Sequence, residues 1–107
     1  MKLTVTSAHI SRGKRNDSTK CPVANCFKEE FPKAVKVEVS DGHEVEDLHS
    51  GEHVLVADVE VHFKDRTKYF NLNKTTIERI NKYDRGGEMK PFTFTCEEDF
   101  PDGKDEV

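Results

Sequence analysis

The sequence predicts a single α+β domain, a mostly antiparallel sheet of four to six strands with two helices packed on one face. Three observations carry this reading. Several valine- and phenylalanine-rich runs alternate with polar residues at a period of two, and two segments repeat at helical period. Strands with one polar face need only one covering layer, which favours antiparallel pairing with helices on a single side. At 107 residues the chain holds one modest core. The order reads β-α-β-(β)-β-β-α-β, with a domain over residues 1–96 and an acidic, mobile tail over 97–107.

Leu3-Thr4-Val5-Thr6 alternates as a strand, after which the apolar phase slips to Ala8 and Ile10. Such a slip predicts a bulge near Ser7. Gly13 and the Asn16-Asp17-Ser18-Thr19 cluster make residues 11–20 a loop. Pro22 suits the first helical position, and Val23, Phe27 and Phe31 form one apolar stripe that Pro32 ends. Val35, Val37 and Val39 alternate as a half-buried strand, followed by the turn signal Asp41-Gly42. Residues 43–52 are acidic and read either as a short edge strand around Val45 or as a loop.

One continuous strand is predicted over 54–64. Leu55, Ala57, Val59, Val61 and Phe63 share one face; Val56, Asp58, Glu60, His62 and Lys64 share the other. Asp65-Arg66 turns the chain and residues 67–72 return as its hairpin partner. Thr75 and Glu78 are spaced as a capping box for a second helix with Ile77 and Ile80 inside, and Gly86-Gly87 stops it. Phe92, Phe94 and Cys96 alternate in a last strand after Pro91. Six acids against Lys104 follow from Glu97 onward.

Charge is unevenly placed. The whole chain carries −4. Residues 1–20 hold Lys2, Arg12, Lys14, Arg15 and Lys20 against Asp17, a net of +4, so the remainder carries −8. This balance disfavours a general nucleic-acid binder and predicts a basic end on an acidic body. Three cysteines is an odd count, and neither a signal peptide nor a membrane-length apolar run is visible, so the expectation is a reduced, cytosolic protein.

Two groups of residues are candidate sites. Arg12, Gly13, Lys14, Arg15, Lys20 and Cys21 lead into a helix N-terminus, where free N–H groups and a partial positive charge attract anions such as phosphate. The competing reading is a solvated basic loop that balances the acidic body, and the glycines match no Walker or dinucleotide pattern. Glu38, Asp58 and Glu60 project from the polar faces of neighbouring strands. Rows of carboxylates on a sheet can imitate a nucleic-acid backbone and occupy a partner's basic groove; alternatively they serve solubility.

Catalytic and metal chemistry is poorly supported. Cys21 at a helix N-terminus has a position that lowers a thiol's pKa, yet no base lies at triad spacing, and a small buried cysteine is the simpler reading. Cys21 and Cys26 lack a second pair at zinc spacing; Cys96 with His9 or His62 completes a set only through the fold. His43, His49 and His53 lie among acids and read as a solvated loop, with adventitious metal binding as the alternative. With no paired carboxylates or Ser-His-Asp arrangement, neither an enzyme nor a metal or cofactor is predicted.

His9-Ile10-Ser11-Arg12-Gly13 followed by Cys21-Pro22-Val23-Ala24 resembles small uncharacterised proteins encoded by bacteriophages. The likeness extends in outline through Ile80, Tyr83-Asp84 and Lys90-Pro91-Phe92-Thr93-Phe94, about ten positions in all. The resemblance implies a viral source, the host cytoplasm and an accessory role without catalytic residues. Its expected action is binding a host or viral protein, as an inhibitor of host machinery or defence. Nucleotide or nucleic-acid phosphate binding at the basic loop is the alternative.

Overall fold

The computed structural model describes residues 1–99. Three helices and eight strands form an α+β domain with every strand pair antiparallel, as the alternating pattern requires. In chain order they are β1 (Lys2–Val5), α1 (Ser7–Arg12), α2 (Pro22–Glu30), β2 (Lys36–Val39), β3 (His43–Glu46), β4 (His53–Val56), β5 (Asp58–His62), β6 (Thr67–Asn71), α3 (Lys74–Asp84), β7 (Phe92–Thr95) and β8 (Glu97–Asp99). They build three sheets: β1-β7, β2-β5-β6-β8 and the hairpin β3-β4.

The slip after Val5 marks a change of element rather than a bulge. Thr6 caps α1, its Oγ1 accepting from His9 N–H at 3.3 Å, while His9 Nδ1 accepts from Thr6 N–H at 2.9 Å. Histidine thus takes the place that Glu or Gln usually fills in this reciprocal cap. That substitution hides the helix start from a search for acidic partners.

α2 follows its sequence signals. Pro22 opens it, Cys21 Sγ accepts from Ala24 N–H at 3.4 Å, and Phe31 closes it. Its stripe is the centre of the core. The Phe27 ring lies 5.5 Å from Phe70 on β6 and 6.1 Å from Phe94 on β7, so one side chain joins two sheets. Phe31 adds contacts to Phe70 and, edge-on, to Phe63. Burying a phenylalanine this completely contributes about 1.5–3 kcal/mol.

The predicted strand 54–64 is divided at Ala57. Residues before it pair with β3, and residues after it pair with β2 and β6. The side-chain alternation survives the break, with Ala57, Val59 and Val61 all buried. Ser40 Oγ accepts from Asp58 N–H at 2.8 Å, satisfying a donor that the change of sheet would strand. Gly42 lies against α3: a Cβ there would sit 2.5 Å from Ile77 Cγ2, which explains a glycine where no positive φ demands one.

α3 begins at Lys74, capped by Asn73, whose Oδ1 accepts from Thr76 N–H and Thr76 Oγ1 at 2.8 and 2.7 Å. The expected Thr75–Glu78 box lies two residues too late, because Asn73 already meets the need. Glu97–Asp99, expected as the start of a mobile tail, instead form β8 against β6. The rest of that expected tail lies outside the described residues. No helix among the described residues is long and apolar enough to cross a membrane.

Candidate functional site

The basic loop is tied down by its own side chains and backbone. Arg15 Nη1 donates to the carbonyls of Tyr83 and Gly87, the latter at 2.9 Å, and the guanidinium lies 4.3 Å from the Tyr83 ring centroid. A cation on the C-terminal carbonyls of α3 complements that helix's negative end. Asn16, at φ 58°, donates N–H to Asp84 Oδ1 and its amide to Asp84 O. Asp17 Oδ1 accepts from Thr19 N–H and Thr19 Oγ1, which holds its carboxyl below the usual carboxylate range.

These contacts divide the predicted anion site. Arg15 is committed to α3, and Cys21 is buried with its sulfur on Ala24 N–H. Arg12, Lys14 and Lys20 are exposed. Gly13 packs on Pro22, where an added Cβ would meet the ring at 2.8 Å. Beside the loop lies a cavity of about 320 Å³ bounded by Asp17, Asp41 and Asp84, with Val39, Ile77 and Ile80 at its apolar side and no lysine or arginine in its lining.

All three cysteines are buried and free. Burial pushes each thiol up from its ordinary value of 9.0. Cys26 reaches about 12, with Glu29 and Glu30 adding to the burial. Proximity to a helix N-terminus does not offset burial at Cys21, whose thiol is also raised. His43 and His53 stand at opposite ends of the β3-β4 hairpin, facing Val56 and Glu46 respectively, while His49 lies in its turn. They do not form a cluster.

The polar face of the four-stranded sheet gathers acids. Register places Glu38 opposite Glu60, Glu60 opposite Tyr69 and Tyr69 opposite Asp99. The next row runs Asp58, Asn71, Glu97. The third predicted acid, Asp58, therefore shares the face but not the row. Burial and the nearby Asp99 push its carboxyl up, with His43 pulling weakly the other way. Lys36 Nζ lies 3.7 Å from Glu38 and provides partial neutralisation.

His62, not singled out in the sequence as a partner of these acids, stands two residues beyond Glu60. Its Nε2 is 3.3 Å from Glu60 Oε1 and its Nδ1 3.0 Å from Thr67 Oγ1. Ligand-type atoms of Glu38, Glu60 and His62 lie within 4.8 Å of one another, the one such trio among the described residues. Spacing rules pass over it because Glu38 comes from a strand separated from β5 by a whole hairpin. Local pattern reaches two of its parts, the shared face of Glu60 and His62 on one strand and the His62–Thr67 pairing across the Asp65-Arg66 turn.

No family model, curated protein or solved structure matches the chain.

Proposed function

We propose that the chain is a small, non-enzymatic accessory protein that binds a host or viral protein through the acidic face of its four-stranded sheet. The observation that supports this best is the register itself. It brings Glu38, Asp58, Glu60, Glu97 and Asp99 onto one face from three separate stretches of sequence. Like charges directly opposite one another on a sheet are destabilising. A surface that keeps them is suited to a basic groove, where complementary charge speeds association and selects the partner. The resemblance of residues 9–13 and 21–24 to phage-encoded proteins makes that partner one met in an infected bacterium's cytoplasm, with inhibition as the outcome.

The test is retention of a partner from bacterial lysate by wild type and by the triple reversal Glu38→Lys, Asp58→Lys, Glu60→Lys. A defined protein held by wild type and lost on reversal, with an association rate that falls as salt rises, supports the reading. Equal retention by both, or none by wild type, overturns it. Calorimetry with short oligonucleotides separates the alternative: salt-sensitive binding lost on Arg12→Ala with Lys14→Ala would move the function to the basic loop.

A further inference from the structure

We propose that Glu38, Glu60 and His62 form a binding site for a divalent transition-metal ion, zinc(II) foremost, on the polar face of the four-stranded sheet. The pairing of β2 with β5 sets the two glutamates directly opposite each other, and the pleat sets His62 on the same face two residues along. Their ligand atoms lie within 4.8 Å of one another. The separation of His62 Nε2 from Glu60 Oε1, 3.3 Å, is the spacing of two ligands that share a tetrahedral zinc, since bonds of about 2 Å put ligand atoms about 3.3 Å apart.

The imidazole adds a second observation. The His62 side chain is 29 % exposed, yet its Nε2 is closed off from solvent and makes no hydrogen bond, with the Glu60 carboxylate 3.3 Å away. Nδ1 is 3.0 Å from Thr67 Oγ1. With Nδ1–H donated to that hydroxyl, Nε2 presents a lone pair beside a carboxylate, and a bare lone pair there repels the acid. A metal ion between them turns the repulsion into two bonds. Thr67 then does what outer partners of ligating histidines do, holding the ring and its tautomer.

One imidazole with two carboxylates suits zinc, and after it manganese or cobalt, better than calcium, which takes an all-oxygen shell. Lys36, 3.7 Å from Glu38, is the resident competitor, and the side chains of both are well exposed at 52 % and 38 %, so the ion displaces it readily. Three protein ligands leave a fourth position open to water or to a ligand from another molecule. The proposal goes beyond the partner reading and does not depend on it, because metal binding is a property of the isolated chain.

The experiment is calorimetric titration of the metal-stripped full chain with zinc(II), with cobalt(II) absorption as a second readout. The expected result is one saturable equivalent, visible cobalt bands and a rise in the unfolding midpoint with zinc. His62→Gln and Glu38→Gln should each weaken binding at least tenfold, and Thr67→Val about tenfold. Two controls should bind as wild type: the triple variant His43→Gln, His49→Gln, His53→Gln, and Asp58→Lys, which alters the acidic face without touching the three ligands. No saturable binding, binding unchanged in both ligand variants, or binding lost in the triple histidine variant would overturn the site. Circular dichroism of the metal-free variants checks that each folds, and Glu38→Gln stands in should His62→Gln fail. A failed partner capture with intact zinc binding overturns only the partner reading.

Discussion

The basic loop and the acidic sheet face look alike as sequence: each is a cluster of one sign of charge beside a strand. Their fates in the fold differ. In the loop, Arg15 is drawn onto the carbonyls of Tyr83 and Gly87, Asp17 accepts a local hydrogen bond from Thr19 N–H, and Asn16 N–H donates to Asp84 at the end of α3. On the sheet, register forces Glu38 onto Glu60 and brings Asp58 within the influence of Asp99, with Lys36 beside Glu38 as partial compensation. Loop charges have freedom to find oppositely polarised backbone. Strand charges stand where the ladder puts them. Charge that folding consumes stabilises the chain, and charge that folding concentrates remains for another molecule.

The largest expected effect tests the end of the loop, where Cys21 would be the reactive group of an anion or nucleophile site. A thiol at about 12 rather than 9.0 is ionised about a thousandfold less at neutral pH, so Cys26 should label that much more slowly in the native than in the unfolded protein, with Cys21 and Cys96 slowed in the same direction. Timed thiol titration in buffer and in denaturant measures this; a fast-labelling Cys21 would restore the loop as a chemical site. Because these folded-state values lie above the ordinary one, folding favours the protonated thiol. That contribution is complete below pH 9 and is lost as pH rises toward 12.

Next in size is Arg15→Ala, expected to cost about 1–2 kcal/mol through two charged hydrogen bonds and the Tyr83 contact. Chemical denaturation reads it, and a change under about 0.5 kcal/mol would show that the loop's charge is idle. Lys14→Ala combined with Lys20→Ala, both exposed, should stay within about 0.5 kcal/mol.

The smallest effect has the opposite sign. Asp58→Asn should raise stability at pH 7, within about 0.5 kcal/mol because the residue is only half-buried. The sign follows from its raised pKa: wild type loses stability as pH rises through the folded-state value, the asparagine variant does not, and the two converge in acid below the ordinary 3.8. Melting curves across that range check it, and a variant less stable at pH 7 would mean the acid is compensated after all.

Much of the fold was legible where a single local cause decides it. α2 needed only Pro22, Pro32 and an i, i+4 stripe, and β5 with β6 needed only alternation around Asp65-Arg66. The misreadings fall where a second element intervenes. α1 was hidden because its cap uses His9, and the break at Ala57 because the same alternation serves two sheets. Of the candidate sites, Glu38, Glu60 and His62 were legible as residues on the polar faces of strands; the meeting of Glu38 with the other two was not.

Sequence alone determined the α+β class, the antiparallel pairing, the core stripe of Val23, Phe27 and Phe31 and the split between a basic end and an acidic body, since periodicity and composition act over a few residues. Tertiary structure alone decided which charges meet. The pairing of β2 with β5 spans the β3-β4 hairpin, and that of β6 with β8 spans α3 and β7, so a shift of one residue would send Glu38 in the first case, or Glu97 and Asp99 in the second, to the opposite face. Register is set by the buried valines behind the acids, and the acidic face is its consequence.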